Sequence, residues 1–304
     1  MRSPALAALA SALAVSGCVT LTPFTEVRTK LPAESFVTIG GQQVHVERRG
    51  TGEPVVLIHG FGGSSYSWRH LVSSLATRYE VVAPDLNGFG WTERPSEPEA
   101  YTLEGQAALV LGVLDALGIA SAHVVGHSYG GGLALWLAAR HPERVRSLVL
   151  VDSTLPTYSV ARRKRVARFR PFVSLALRSV LLRHNFVRRG LMRSVADPKS
   201  VTDELVEAYA DRLRVEGAVD AYQGLTAPVS GPPPRVDLAE IRQPTLVVWG
   251  ADDRLLDARV GEDAARMIPA ARFLLLARCG HLPMEEQPEE LARAVLDFLA
   301  ALPR

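Results

Sequence analysis

The segment Gly126-His127-Ser128-Tyr129-Gly130 has the spacing G-x-S-x-G. It follows an apolar run and opens a stretch with helical spacing, the setting in which that pattern carries chemistry. A serine in so tight a turn needs small neighbours, and Gly126 and Gly130 supply them. The turn lifts the hydroxyl clear of the preceding strand and sets a helix N-terminus beneath it. The Tyr129 N–H can then meet a developing oxyanion. A serine hydroxyl is a weak nucleophile without a base. His281, in Cys279-Gly280-His281, follows the last apolar run and is the candidate base. An imidazole in that role needs a carboxylate to orient it. Asp253, after Trp249-Gly-Ala-Asp252, is the favoured acid; Asp252, Asp257 and Asp152 are the alternatives. A second oxyanion donor is expected from an early glycine-rich loop. His59-Gly60-Phe61-Gly62-Gly63 provides one, with the Phe61 N–H as the donor.

The remaining reactive residue types read as structure. His59 and His127 are expected to be hydrogen-bonding scaffold residues. Cys279 lacks a base of its own and reads as a packed thiol. Asp85-Leu-Asn-Gly88-Phe-Gly90 lacks the lysine and strand-to-helix placement of a phosphate loop. No group of His, Cys and acidic residues has metal-ligand spacing, so neither a metal nor a cofactor is expected.

The elements that must carry these residues alternate. Residues 36–39 and 43–47 around Gly40-Gly41 read as a hairpin. Strands are expected over 54–58, 79–83, 122–126, 145–151, 244–249 and 271–276. Helices are expected over 66–77, 103–117, 130–140, 257–267 and 288–302. Continuous apolar strands separated by helices imply βαβ units and a mainly parallel sheet, with reactive groups at the strands' carboxyl ends. The class is therefore α/β. Residues 154–240 break the rhythm with at least three helical stretches and end in Gly231-Pro-Pro-Pro234. They read as a helical cap inserted into a core formed by 35–153 and 241–304.

The chain has 304 residues, 47% hydrophobic and 22% charged, with 34 Lys+Arg against 32 Asp+Glu and a net charge of +2. This composition excludes a disordered chain and a fibrous repeat. The near-neutral total, without a nucleic-acid-binding module, argues against a nucleic-acid partner. The charge is uneven: residues 161–196 contain eleven Lys/Arg and no Asp/Glu, interleaved with apolar residues. Such a stretch suits an anionic membrane surface, or a solvated cap face above an apolar pocket. Residues 1–17 read as a signal peptide, with Arg2, a short apolar run from Ala5 to Val15, and then Ser16-Gly17 before Cys18. The run is short of the ~20 residues of a membrane span. Residues 18–34 read as a tether.

Small residues before Cys18 resemble the lipobox of bacterial lipoproteins. The resemblance implies lipidation of Cys18, export, and anchoring in the cell envelope. The glycine-rich loop at 59–63, Asp85 to Gly90, the Ser128 turn, Trp249 to Asp253 and Gly280-His281, in that order, resemble the α/β-hydrolase superfamily over roughly 36–304. That resemblance implies a catalytic triad of Ser128, Asp253 and His281 with Phe61 and Tyr129 at the oxyanion hole. Epoxide hydrolases and haloalkane dehalogenases of this fold use an aspartate where Ser128 stands. Carbon–carbon bond hydrolases often have Asn before the serine, where this chain has His127; Gly-His-Ser-x-Gly-Gly looks more like esterases and lipases. The leading expectation is a serine hydrolase of acyl, aromatic or lipid esters, acting through an acyl-enzyme. The alternatives are a carbon–carbon bond or lactone hydrolase with the same triad, and a non-catalytic lipid- or partner-binding protein.

Overall fold

The computed structural model describes residues 19–156, 183–226, 235–269 and 271–303. Eight strands form one sheet: β1 (Phe36–Ile39), β2 (Gln42–Arg49), β3 (Glu53–Ile58), β4 (Tyr79–Pro84), β5 (Ala122–His127), β6 (Val145–Val151), β7 (Thr245–Gly250) and β8 (Ala271–Leu276). Their order is β1-β2-β4-β3-β5-β6-β7-β8. β1 and β2 pair antiparallel, as do β2 and β4; all other pairs are parallel. The Gly40-Gly41 turn holds both glycines at positive φ, which only glycine adopts without strain.

The central strands are apolar on both faces because both faces are covered. On β3, Val55 and Leu57 pack into one core cluster while Val56 and Ile58 pack into the other; β6 splits Val149 and Val151 from Leu148 and Leu150 in the same way. That is the two-residue period of a strand read on two buried sides. One face is covered by α3 (Leu103–Ala116), α4 (Tyr129–Arg140) and α8 (Ala258–Met267); the other is covered by α2 (Arg69–Leu75) and α10 (Pro288–Ala300). A wholly buried leucine such as Leu57 contributes about 2–3 kcal/mol of apolar burial.

The insertion lies between β6 and β7. Its described part contains the helices α5 (His184–Ser194), α6 (Asp203–Leu213) and α7 (Ala218–Thr226). Val187, Leu191, Val195, Val206 and Tyr209 from this cap join the core cluster beside α2 and α10. The described part of the cap thus packs into the core cluster.

One expectation needs correction. Residues read as a tether form α1 (Phe24–Lys30), and Val27 is buried with Phe36 and Val215. Thr22 donates to Arg214 O at 2.7 Å and accepts from Glu216 N at 2.9 Å. Apolar residues at 21, 24, 27 and 31 give this segment a face to bury, which a reading of its Thr, Pro and charges overlooks. The segment read as a signal peptide, Cys18 and most of the basic run lie outside the described residues. Of that run, Arg188 pairs with Asp203, and Arg189 and Arg193 are exposed. Among the described residues, no helix is long and apolar enough to cross a membrane.

Candidate active site

Ser128 sits between β5 and α4 with φ +50° and ψ −115°. A non-glycine residue held there costs about 1–3 kcal/mol, so its surroundings must enforce it. They do so through hydrogen bonds. The Ser128 N–H donates to Val151 O at 2.9 Å, and its carbonyl accepts from the N–H groups of Gly131 and Thr154, both at 3.0 Å. The flanking glycines leave no room for more. A Cβ on Gly130 would lie 2.3 Å from Ile58 O, and one on Gly126 would lie 2.4 Å from Gly130 O. These contacts let the turn close against β3 and direct the hydroxyl away from the sheet.

The loops after β7 and β8 bring the partners in. Gly250 abuts Gly280 so closely that a Cβ there would lie 2.0 Å from Gly280 O, and Asp252 N–H donates to Cys279 O at 2.8 Å. His281 Nε2 is 3.0 Å from Ser128 Oγ, and His281 Nδ1 is 2.7 Å from Asp253 Oδ2. The arrangement suits an imidazole protonated on Nδ1, with Nε2 free to accept the serine proton. The Asp253 side chain is fully shielded from solvent. Burial opposes its charge, but the His281 bond and the Leu255 and Leu256 N–H groups outweigh it and hold its carboxyl below the ordinary range.

The alternative acids fall elsewhere. Asp252 is exposed, and Asp257 caps α8 by accepting from Arg259 N. Asp152 is buried at φ +42°, with Oδ1 accepting from Gly250 N at 2.9 Å. Burial and the neighbouring Asp253 push its carboxyl well above the usual carboxylate range, against the Gly250 N–H. Asp152, Asp253 and His281 are also the one group among the described residues whose donor atoms, within 4.8 Å of one another, could share a metal ion. His281 is bonded to Asp253 and Ser128, and Asp152 to the Gly250 N–H.

The residues read as scaffold have identifiable tasks. His59 Nε2 accepts from Leu86 N at 3.0 Å, so its Nδ1 carries the proton and donates to Gly60 O at 2.8 Å. This ties the glycine-rich loop to the loop after β4, and burial keeps His59 below its usual pKa. His127 lines the cavity beside the His281 ring and donates from Nε2 to the His281 carbonyl at 2.7 Å. Burial, with the nearby His281, pushes its pKa down to about 3. Asp85 binds His45 Nδ1 at 2.8 Å and the N–H groups of Ser65 and Trp91, so its loop is architecture. Cys279 is buried, and burial raises its thiol pKa.

The triad opens on a cavity of about 500 Å³ between core and cap. Its walls are apolar, with Phe89, Val187, Leu191, Val219, Tyr222 and Leu225 among the lining residues. Phe61 lies at its edge, in edge-to-face contact with Phe89 at 5.3 Å and the cap residue Tyr222 at 6.0 Å. Its neighbour Gly60 lies against Ser128: a Cβ there would come 3.2 Å from Ser128 Cβ. Among the described residues, Arg193, from the last turn of α5, is the one Lys, Arg, Asp or Glu on the lining. Sequence reasoning missed the lining, because it is assembled from three cap helices and from the core loops that follow β3, β4, β5, β7 and β8. It also missed Glu286, whose carboxylate bonds the Gly280 N–H beside His281.

Residues 53–288 match the model of the α/β-hydrolase fold family. The chain is 34% identical to 2-hydroxymuconate semialdehyde hydrolase of Pseudomonas putida, across 87% of this chain and 93% of that protein. Its structure is similar to a meta-cleavage product hydrolase of Pseudomonas fluorescens, with a TM-score of 0.72 and 28% identity over 87% of this chain and 97% of that one. It is also similar to a thermophilic esterase of Thermogutta terrifontis, with a TM-score of 0.71 and 26% identity over 87% and 98% of the two chains. With the family model spanning most of its length, the chain belongs to the α/β-hydrolase fold family.

Proposed function

We propose that the protein is a serine hydrolase that cleaves the bond beside a carbonyl, and that its substrates are enol-keto acids split at a carbon–carbon bond. The observation that carries the hydrolase reading is the unbroken chain Ser128–His281–Asp253 on the wall of an apolar cavity. The similarity to 2-hydroxymuconate semialdehyde hydrolase favours carbon–carbon cleavage over the ester cleavage expected from the serine's neighbours. Arg193 fits a substrate with one carboxylate on an otherwise apolar or conjugated body.

The steps follow from the geometry. Ser128 Oγ attacks the carbonyl carbon as His281 Nε2 takes its proton. The oxyanion is held by the Phe61 and Tyr129 N–H groups, and Asp253 stabilises the imidazolium. Collapse breaks the carbon–carbon bond, and the departing carbon takes the proton from His281. That carbon can leave because conjugation to a second carbonyl spreads its charge. Water, deprotonated by His281, then frees the acid from Ser128.

An ester-cleaving reading keeps every one of these roles, with an alkoxide as leaving group. His127, standing where carbon–carbon bond hydrolases often have Asn, and the likeness to the thermophilic esterase favour it. A panel separates the two: 2-hydroxy-6-oxo-dienoates followed by loss of absorbance, against p-nitrophenyl esters of graded chain length. A kcat/KM at least about tenfold higher on the dienoates supports the first reading; the reverse order assigns the ester reading. We further propose export and lipid anchoring at Cys18, on the 1–18 pattern alone; incorporation of labelled palmitate that is lost in Cys18→Ser tests it.

A further inference from the structure

We propose that Glu286 is a positioning residue that latches the cap to the catalytic histidine, so that filling the cavity under the cap sets the placement of His281. It rests on the reading of Ser128, His281 and Asp253 as the catalytic chain.

The latch is built from backbone. Glu286 ends the short helix α9 (Pro283–Glu286), five residues after His281. One carboxylate oxygen, Oε2, accepts from the N–H of the cap residue Ala196 at 2.6 Å. The other, Oε1, accepts from the N–H of Gly280 at 2.9 Å. One side chain therefore bridges the two segments. A third bond joins them directly, from the His281 N–H to the carbonyl of Ser194 at 2.6 Å. Ser194 is the last residue of α5, and that carbonyl has no helical partner of its own. The segments touch with no slack. A Cβ on Gly280 would lie 2.7 Å from both Ser194 O and Ala196 N. Between those two residues, Val195 is 1% exposed and packs in the cluster that includes Cys279, Leu282 and Met284.

α5 is also a wall of the cavity. Phe186, Val187, Gly190, Leu191, Arg193 and Ser194 all line it. A substrate pressing on α5 therefore presses on the segment bonded to the His281 N–H directly and to the Gly280 N–H through Glu286. The opposite side of that loop is fixed, because His127 Nε2 donates to the His281 carbonyl. His281 is held between a rigid core contact and a cap contact that a ligand can reach. Glu286 touches neither substrate nor the reacting atoms; it acts through the loop. Its carboxylate is well suited because two facing N–H donors need two acceptor oxygens. A glutamine would keep one acceptor and turn its own N–H2 group toward the other donor.

The test uses the full chain and two alkyl fluorophosphonates, one with a short chain and one long enough to fill the cavity. In each, Ser128 Oγ would attack phosphorus, fluoride would leave, and His281 would take the proton. The limiting labelling rate is separated from the half-saturating concentration for wild type, Glu286→Gln and Ser128→Ala. In wild type, the long probe is expected to label about tenfold faster at saturation, because it seats α5. In Glu286→Gln that ratio is expected to fall to about one, with the melting temperature within a few degrees of wild type. A wild-type ratio near one overturns the latch. So does a ratio that survives in Glu286→Gln, or one that falls only together with the melting temperature. If Ser128→Ala labels as fast as wild type, the catalytic chain itself is misread, an outcome separate from failure of the latch.

Discussion

Replacing Asp253 with asparagine, beside the same change at Asp152, separates two buried carboxyls that lie close to one imidazole. Asp253 Oδ2 is 2.7 Å from His281 Nδ1, and the Leu255 and Leu256 N–H groups occupy its other oxygen. Asparagine at 253 removes the charge that stabilises the imidazolium and no longer enforces the tautomer with the proton on Nδ1. Loss of that function costs a serine hydrolase about 10³–10⁴ in kcat, equivalent to roughly 4–5.5 kcal/mol of barrier. Asp152 spends one oxygen on Gly250 N–H, and burial beside Asp253 favours its protonated form. Asparagine there keeps the acceptor and the neutrality, so Asp152→Asn is expected to stay within about threefold of wild type. The assay is kcat and KM at pH 7–8 for both variants on the better substrate of the panel. If Asp152→Asn loses as much as Asp253→Asn, or Asp253→Asn keeps more than about a tenth of wild-type kcat, the assignment of the acid is wrong.

Other outcomes follow from the same geometry. Gly130→Ala places a Cβ 2.3 Å from Ile58 O, so it is expected to destabilise the fold by about 3 kcal/mol or to prevent soluble expression, read by urea unfolding. Phe61→Ala removes the ring contacts with Phe89 and Tyr222 but keeps the backbone N–H. KM is therefore expected to rise about threefold to tenfold while kcat stays within about twofold, as steady-state kinetics would show. His127 is neutral in the fold down to about pH 3, whereas it protonates near 6.5 when unfolded. Its contribution is complete above about pH 6.5 and is lost as pH falls toward 3, amounting to about 2 kcal/mol between pH 7 and 5. His59, also depressed, adds in the same direction. Urea midpoints at the two pH values should show this drop, and His127→Asn should flatten it.

Much of the site is legible in the sequence because its parts sit at strand ends with strong local signals. Gly126 and Gly130 announce a turn too tight for side chains, and the apolar runs at 54–58 and 145–151 place it in the middle of a sheet. The order of Ser128, Asp253 and His281 then needs only the strand order to bring the three together. What is not legible depends on pairing across long separations. Glu286 reads as one more surface acid in Met284-Glu-Glu-Gln287; its partners are amide groups at 196 and 280, which carry no sequence mark. Asp85 reads as loop architecture, but its partner His45, forty residues earlier, carries no sequence mark of the pairing. The segment at 22–31 has an apolar face at 24, 27 and 31, but that face is covered by Phe36 and by Val215 of the cap, a pairing that no local signal marks. The choice between ester and carbon–carbon cleavage lies in the shape of a cavity that no single segment encodes.

The most direct test of the account is the site of covalent modification. The full chain is incubated with a fluorophosphonate, digested, and the adduct mapped by mass spectrometry, with Ser128→Ala treated in parallel and its turnover measured. The account predicts one adduct, on Ser128, absent from the variant, whose kcat falls by about 10⁴ or more. An adduct on another residue, or a variant that retains labelling or more than about 1% of wild-type turnover, would contradict it.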